Sequence, residues 1–190
     1  MNLIIDIGNT QTKWALFRDN HLVKKDRCEQ LTVSETEDMI HNYSVKVSII
    51  SSVSGISEEL LTTLNKKTIC TILDQETPIP FKNNYTTPET LGKDRIALVA
   101  AACSEFPNQN NLIIDAGTCI TFDFINSNSE YLGGAISPGM EMRFKSLNTF
   151  TYALPYIKER KLEGLIGKTT KDSIKSGVIN GVFNELDGVI

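Results

Sequence analysis

Two short stretches carry residue types at a spacing that suits phosphate chemistry: Leu3-Ile4-Ile5-Asp6-Ile7-Gly8-Asn9-Thr10 and Leu112-Ile113-Ile114-Asp115-Ala116-Gly117-Thr118. In each, an apolar run reaches an Asp, a Gly stands two residues on, and a Thr follows. Gly lacks a Cβ and tolerates unusual φ, so its backbone can approach a phosphate closely. Turn amides and the Thr hydroxyl can donate to phosphate oxygens, while the Asp can hold a hydrated Mg2+. Either turn alone reads equally well as a tight hairpin, where Asp and Gly are favoured. As a related pair facing each other, they would grip a polyphosphate from both sides.

Gly92-Lys93-Asp94-Arg95 opens a helical stretch. It reads either as a charged first turn, favoured by the helix dipole, or as a carboxylate base with cations beside it. Phosphoryl transfer to an alcohol needs in-line positioning, charge neutralisation and a carboxylate to accept the hydroxyl proton. Gly133-Gly134-Ala135-Ile136-Ser137-Pro138-Gly139 is a further glycine cluster, explained by close backbone packing or by a pocket wall beside a ligand. Gly164-Leu165-Ile166-Gly167-Lys168-Thr169 superficially resembles a P-loop, but that motif needs Gly five positions before the Gly-Lys pair, where Leu162 stands. It is not a Walker A motif.

The elements that must position these residues follow from periodicity. Strands are expected at 2–7, 11–18 and 21–28, then a helix near 34–42 opened by Ser34 with Glu37 as a capping box. Val45 to Val53 reads as a buried strand, Ser57 to Lys66 as a helix and Thr68 to Leu73 as a fifth strand. Gln75 to Pro88, marked by Pro78, Pro80 and Pro88, reads as a loop crossing between halves. A helix over 90–105 follows, and then the pattern restarts with strands at 111–116, 119–126 and 130–137. The expected fold is therefore α/β and duplicated, with one unit over 1–106 and a second over 107–190. From Phe150 to Ile190 no run matches Val45–Val53 or Thr68–Leu73. The second unit is thus expected to lack two strands and a helix, roughly 50 residues by typical element lengths, with Ile113, Ile120 and Phe122 on an uncovered face.

Composition narrows the class. The chain has 190 residues, 41% of them apolar and 22% charged, with a formal net charge of -4. That balance lacks the basic footprint of a nucleic-acid binder. No apolar run nears the ~20 residues of a membrane span, and no basic leader precedes Asp6. Cys28, Cys70, Cys103 and Cys119 are scattered without a C-x-x-C pair, which argues against a zinc site and for a reducing, cytoplasmic setting.

With these pieces in order, the chain resembles the type III pantothenate kinases of the acetate kinase–sugar kinase–heat-shock–actin superfamily. The resemblance rests on Asp6-Ile7-Gly8-Asn9-Thr10, on Tyr85 ahead of Leu91-Gly92-Lys93-Asp94-Arg95-Ile96, and on Asp115-Ala116-Gly117-Thr118 running into Thr121-Phe122-Asp123. It continues through the Gly133–Gly139 cluster to Gly167-Lys168-Thr169-Thr170 and Ser173-Ile174-Lys175-Ser176-Gly177. It implies duplicated actin-like (ribonuclease H-like) domains with mixed sheets flanked by helices, and ATP-dependent phosphorylation of pantothenate in coenzyme A synthesis. By matching position it implies ATP contacts from Asp6, Ile7, Gly8, Asn9, Thr10, Gln11, Thr12 and Lys13, with Thr118 on the other side. It implies Asp94 as the catalytic base, pantothenate contacts from Tyr85, Gly92, Lys93, Asp94, Arg95 and Thr170, and a monovalent cation, potassium or ammonium, at Asp115. It also implies a homodimer, with the Thr170 contact made across the interface. The alternatives are a sugar kinase of the same superfamily and a non-catalytic regulatory binding protein.

Overall fold

The computed structural model describes all 190 residues. Its first unit runs β1 (Asn2–Ile7), β2 (Thr12–Arg18), β3 (His21–Cys28), α1 (Val33–Asn42), β4 (Val47–Ser52), α2 (Glu58–Lys67) and β5 (Ile69–Ile72). The sheet order is β3-β2-β1-β4-β5, with β1 antiparallel to β2 and parallel to β4. Alternation along β1 sends Leu3 and Ile5 into a core shared with Leu16, Ile50, Met39, Ile40, Leu60 and Leu64. Asp6 therefore lies on the opposite face of the sheet.

The first helix starts two residues earlier than the capping pattern at Ser34 and Glu37 suggests. Thr32 is the N-cap: its Oγ1 accepts from the Glu35 amide at 3.2 Å, and Glu35 Oε2 accepts from the Thr32 amide at 2.9 Å. Two overlapping Ser/Thr-x-x-Glu patterns compete here, and the earlier one lets the Thr36 hydroxyl, 0% exposed, donate to the Thr32 carbonyl. Thr32→Ala should lower stability by about 1 kcal/mol, read as a shift of the urea midpoint at unchanged slope. Ser34→Ala should leave the midpoint nearly unmoved.

The rest of the chain contains β6 (Lys82–Asn83), a 3-10 turn (Pro88–Thr90), α3 (Lys93–Glu105), β7 (Asn111–Ala116), β8 (Cys119–Ile125), β9 (Glu130–Pro138), α4 (Met140–Thr149) and α5 (Thr170–Val189). Its sheet order is β6-β9-β8-β7. The proline-marked crossing segment is thus not all loop, because β6 joins β9 as a parallel edge strand over two residues. β7-β8-β9 repeats β1-β2-β3, down to the register that sets Asp6 opposite Lys13 and Asp115 opposite Thr121.

Strand β8 is buried on both faces from Ile120 to Asp123, with Phe124 exposed beyond them. Thr121, Asp123 and Ile125 face α3, whose Ile96 and Val99 share a core with Phe81, Leu91, Ile125 and Tyr131. Ile120 and Phe122 face α5 and pack on Val182 and Leu186. The expectation that Ile113, Ile120 and Phe122 lie uncovered is therefore wrong: Ile120 and Phe122 are 2% and 3% exposed, and Ile113 is half-buried. Helix α5, 20 residues long, supplies the cover that strand counting alone left out. No helix is long and apolar enough to cross a membrane.

Candidate active site

The site is built where the two repeated turns meet. Thr10, beyond β1, and Thr118, beyond β7, bring their hydroxyls to 3.3 Å across 108 residues of sequence. Both turns are locked by their own glycines: the Gly8 amide donates to the Gln11 carbonyl at 3.1 Å, and the Gly117 amide to the Cys119 carbonyl at 2.8 Å. Neither glycine takes a positive φ. The unusual φ expected of them is not used, and their role reduces to the missing Cβ. The Gly8 and Gly117 amides are spent within the turns, whereas those of Asn9 and Thr10 meet no carbonyl of the chain. Thr12 is buried, and Lys13, opposite Asp6 in the β1–β2 register, is exposed.

Asp6 is half-buried, and its Oδ1 accepts from the Ser51 hydroxyl on β4 at 2.7 Å. Ser51 has no signal in the sequence beyond its place in a strand, so its contact needs the β1–β4 pairing to be seen. Asp115 occupies the equivalent place at the end of β7, half-buried, with no ion pair and no hydrogen bond to its carboxylate.

The third glycine cluster belongs to this junction, and close packing accounts for it. A Cβ on Gly139 would stand 2.3 Å from the Gly117 carbonyl oxygen and 2.4 Å from that of Thr118. The Gly139 amide instead donates to the Thr118 carbonyl at 3.1 Å, tying the end of β9 to the second turn. Gly133, at φ +112°, lets β9 pass beside the Tyr85 ring, which a Cβ would meet at 3.7 Å.

Helix α3 brings the remaining residues. Gly92 is its N-cap, and Asp94 Oδ1 accepts from the Arg95 amide at 2.9 Å. Asp94 is half-buried in the first helical turn, its Oδ2 without a partner in the chain. Lys93 is half-buried too. Arg95 behaves differently from its neighbours: it is 4% exposed and turned into the second unit. Its Nε donates to Asp123 Oδ1 at 2.9 Å and its Nη2 to the Tyr131 hydroxyl at 2.9 Å. The Tyr131 hydroxyl donates in turn to Asp123 Oδ1 at 2.7 Å. Burial pulls the Arg95 pKa down, but hydrogen bonds and charge from Asp123 outweigh it, so the guanidinium is held more firmly protonated than usual. Burial, with Asp123 beside it, pushes the Tyr131 phenol up and keeps it neutral. Tyr85 stacks on Tyr131 with ring centroids 6.0 Å apart, and the Arg95 guanidinium lies 5.7 Å from the Tyr85 centroid.

The structure thus unites Thr10 with Thr118 and Tyr85 with Arg95. Thr170 stands apart from both groups, exposed at the first turn of α5 behind its N-cap Thr169. The Gly164–Thr169 segment is irregular and follows no strand. Tyr131 carries no flag in the sequence. Asp123 does carry one: a lone carboxylate at the centre of the apolar strand Ile120-Thr121-Phe122-Asp123-Phe124-Ile125 must be paired if buried.

Comparison with known proteins shows the family and the fold. The sequence model of a family described as type III pantothenate kinase matches residues 2–190. A type III pantothenate kinase of Christiangramia forsetii is 48% identical, over 100% of this chain and 79% of the relative. One from Bacteroides fragilis is 43% identical over 100% and 79%. Among solved structures, a Campylobacter jejuni protein assigned to the Baf family of transcriptional activators aligns over 99% of this chain and 79% of its own, with TM-score 0.59 and 24% identity. A Sinorhizobium meliloti protein described as a 2-dehydro-3-deoxygalactonokinase aligns over 100% and 81%, with TM-score 0.58 and 10% identity. At these identities the two structures show a shared fold and nothing more.

Proposed function

From the premise that this chain belongs to the type III pantothenate kinase family, we propose that its two Asp-Gly-Thr turns hold the ATP phosphates from both sides while Asp94 removes the proton from the acceptor hydroxyl. The chain is a pantothenate kinase, a phosphotransferase of coenzyme A biosynthesis that uses ATP. That answers the choice between this activity, a sugar kinase and a non-catalytic regulator. The observation that supports the site assignment is the 3.3 Å approach of Thr10 and Thr118, which aims two hydroxyls from symmetry-related turns at one place.

The chemistry follows from the residues present. The pantothenate hydroxyl oxygen attacks the γ-phosphorus, the bond from that phosphorus to the β–γ bridging oxygen breaks, and ADP leaves. The hydroxyl proton passes to Asp94 Oδ2, the oxygen left over once Oδ1 accepts from the Arg95 amide. Tyr85 and the first turn of α3 form the pantothenate side, with Asn9, Thr10, Lys13 and Thr118 on the phosphate side. Thr10→Ala and Thr118→Ala should each raise the KM for ATP by about tenfold, the worth of one hydrogen bond to a charged group, and leave the KM for pantothenate unchanged. Equal effects on both substrates would remove the assignment.

Cations fit the two aspartates in different ways. Mg2+ keeps most of its waters and takes one or two carboxylates together with substrate phosphates, which suits Asp6. No group of three or more His, Cys, Asp or Glu is arranged to cage an ion, and the unpaired Asp115 carboxylate suits a single, loosely held monovalent cation. Such an ion neutralises a carboxylate that would otherwise repel the phosphates. Activity should therefore rise at least tenfold when potassium or ammonium replaces sodium, and Asp115→Asn should abolish that difference. Equal initial rates in sodium and potassium buffers would dismiss the role.

A homodimer completes the proposal. Phe150, Tyr152, Leu165 and Ile166 are 85%, 106%, 73% and 84% exposed around the stretch that leads to Thr170, an apolar set of the kind that marks a protein interface. Sedimentation should give twice the chain mass, and Phe150→Asp should halve it while raising the KM for pantothenate through the lost Thr170 contact.

A further inference from the structure

The buried cluster behind the pantothenate side has more polar contact than packing α3 on a sheet requires. Arg95 is fixed at Nε by both oxygens of Asp123, at 2.9 and 3.2 Å, and at Nη2 by the Tyr131 hydroxyl at 2.9 Å. Nη2 also lies 2.7 Å from Asp123 Oδ1. Nη1 takes no part in these contacts. Asp123 and Tyr131 are 0% exposed, so neither can touch a ligand, and whatever they do for the reaction they do through Arg95 and Tyr85. Strand β9 makes room for the cluster: a Cβ on Gly134 would stand 3.1 Å from Arg95 Nη2 and 1.7 Å from the Phe122 carbonyl oxygen.

An apolar core could hold α3 on the sheet without such a network, since buried ion pairs add little stability over well-packed hydrophobic residues. What the network does provide is direction. A guanidinium has a planar fork of donors in fixed relation. Clamping two of its three nitrogens therefore fixes where the third one points. Tyr131 adds a second constraint, because the same ring whose hydroxyl meets Arg95 also stacks under Tyr85.

We propose that Asp123 and Tyr131 are positioning residues for pantothenate: they orient Arg95 so that Nη1 alone is offered to the substrate carboxylate, with the Tyr85 ring held beside it. This rests on the reading that Tyr85 and Arg95 bind pantothenate. It predicts that the buried pair acts on the acceptor substrate and not on ATP or on the chemical step.

The test is steady-state kinetics of the full chain with Tyr131→Phe and Arg95→Lys. Tyr131→Phe keeps the ring and its stacking but removes one of the two partners that hold Nη2, leaving only Asp123 Oδ1. It should raise the KM for pantothenate about tenfold, with kcat and the KM for ATP changed less than twofold. Arg95→Lys keeps the charge beside Asp123 but has a single nitrogen, which that carboxylate would occupy, and it should raise the KM for pantothenate at least as much. KM does not depend on how much of the enzyme is folded, so a purely structural role would lower kcat and leave both KM values where they were. If Arg95→Lys raises the pantothenate KM and Tyr131→Phe does not, the positioning role is overturned while the binding reading stands. If neither variant changes it, the binding reading fails and the proposal fails with it.

Discussion

Replacing Asp94 with asparagine should lower kcat by ~10²–10⁴-fold, the usual worth of a general base, while leaving the affinity for pantothenate within about threefold. The geometry predicts this separation. Asp94 Oδ1 accepts from the Arg95 amide at 2.9 Å within the first turn of α3, and the amide oxygen of asparagine can accept the same bond. A Cβ on the N-cap Gly92 would lie 2.5 Å from that Oδ1, so the carboxylate sits directly over the start of the helix. Asparagine keeps this placement and loses only the ability to take a proton. Single-turnover rates and calorimetric titration with pantothenate measure the two quantities independently. A kcat equal to that of the parent enzyme would show that Asp94 is not the base.

The second large effect concerns stability. Arg95→Met should cost about 3–5 kcal/mol, because it leaves the Asp123 carboxyl group, 0% exposed, buried without its cation. For a chain of this size, one kcal/mol moves the melting temperature by roughly 2–4 °C. The melting temperature should therefore fall by roughly 6–20 °C. Adding Asp123→Leu to Arg95→Met should restore most of the loss, since an apolar pair in the same space has no charge to bury. A double variant as unstable as the single one would mean that the damage comes from lost packing and not from the stranded carboxylate. These variants measure what the network does for the fold, whereas Tyr131→Phe measures what it does for pantothenate.

Most of the framework was legible in the sequence because it depends on short-range pattern. The β-branched runs of β1 and β4 and the alternation of β2 specify strands wherever the chain goes. The repeat of Leu-Ile-Ile-Asp in β1 and β7 gives the duplication without any coordinate. The identities of Asp6, Asp94 and Asp115 as candidate reactive groups also follow from local spacing. The limits of such reading appear where two local patterns compete or where a partner lies far away. Thr32 and Ser34 both offer a capping box, and the folded chain uses the first, with Thr36 buried one turn on. The two-residue strand β6 has no periodicity of its own and exists because β9 is beside it.

Tertiary structure alone decided which residues meet. Thr10 and Thr118 are 108 positions apart, and their contact is a consequence of how two similar sheets face each other. Arg95 reads from sequence as a cation beside the candidate base, yet its guanidinium is turned inward, where it pairs with Asp123, 28 positions on. Gly134 is required by the Phe122 carbonyl and Gly139 by the Thr118 carbonyl, neighbours that only the β8–β9 pairing and the turn after β7 supply. Helix α5 covers Ile120 and Phe122, which strand counting had left bare. Sequence sets conformation through forces that act within a few residues. Burial, charge pairing and close approach are set by three-dimensional neighbours, and only the folded chain can name them.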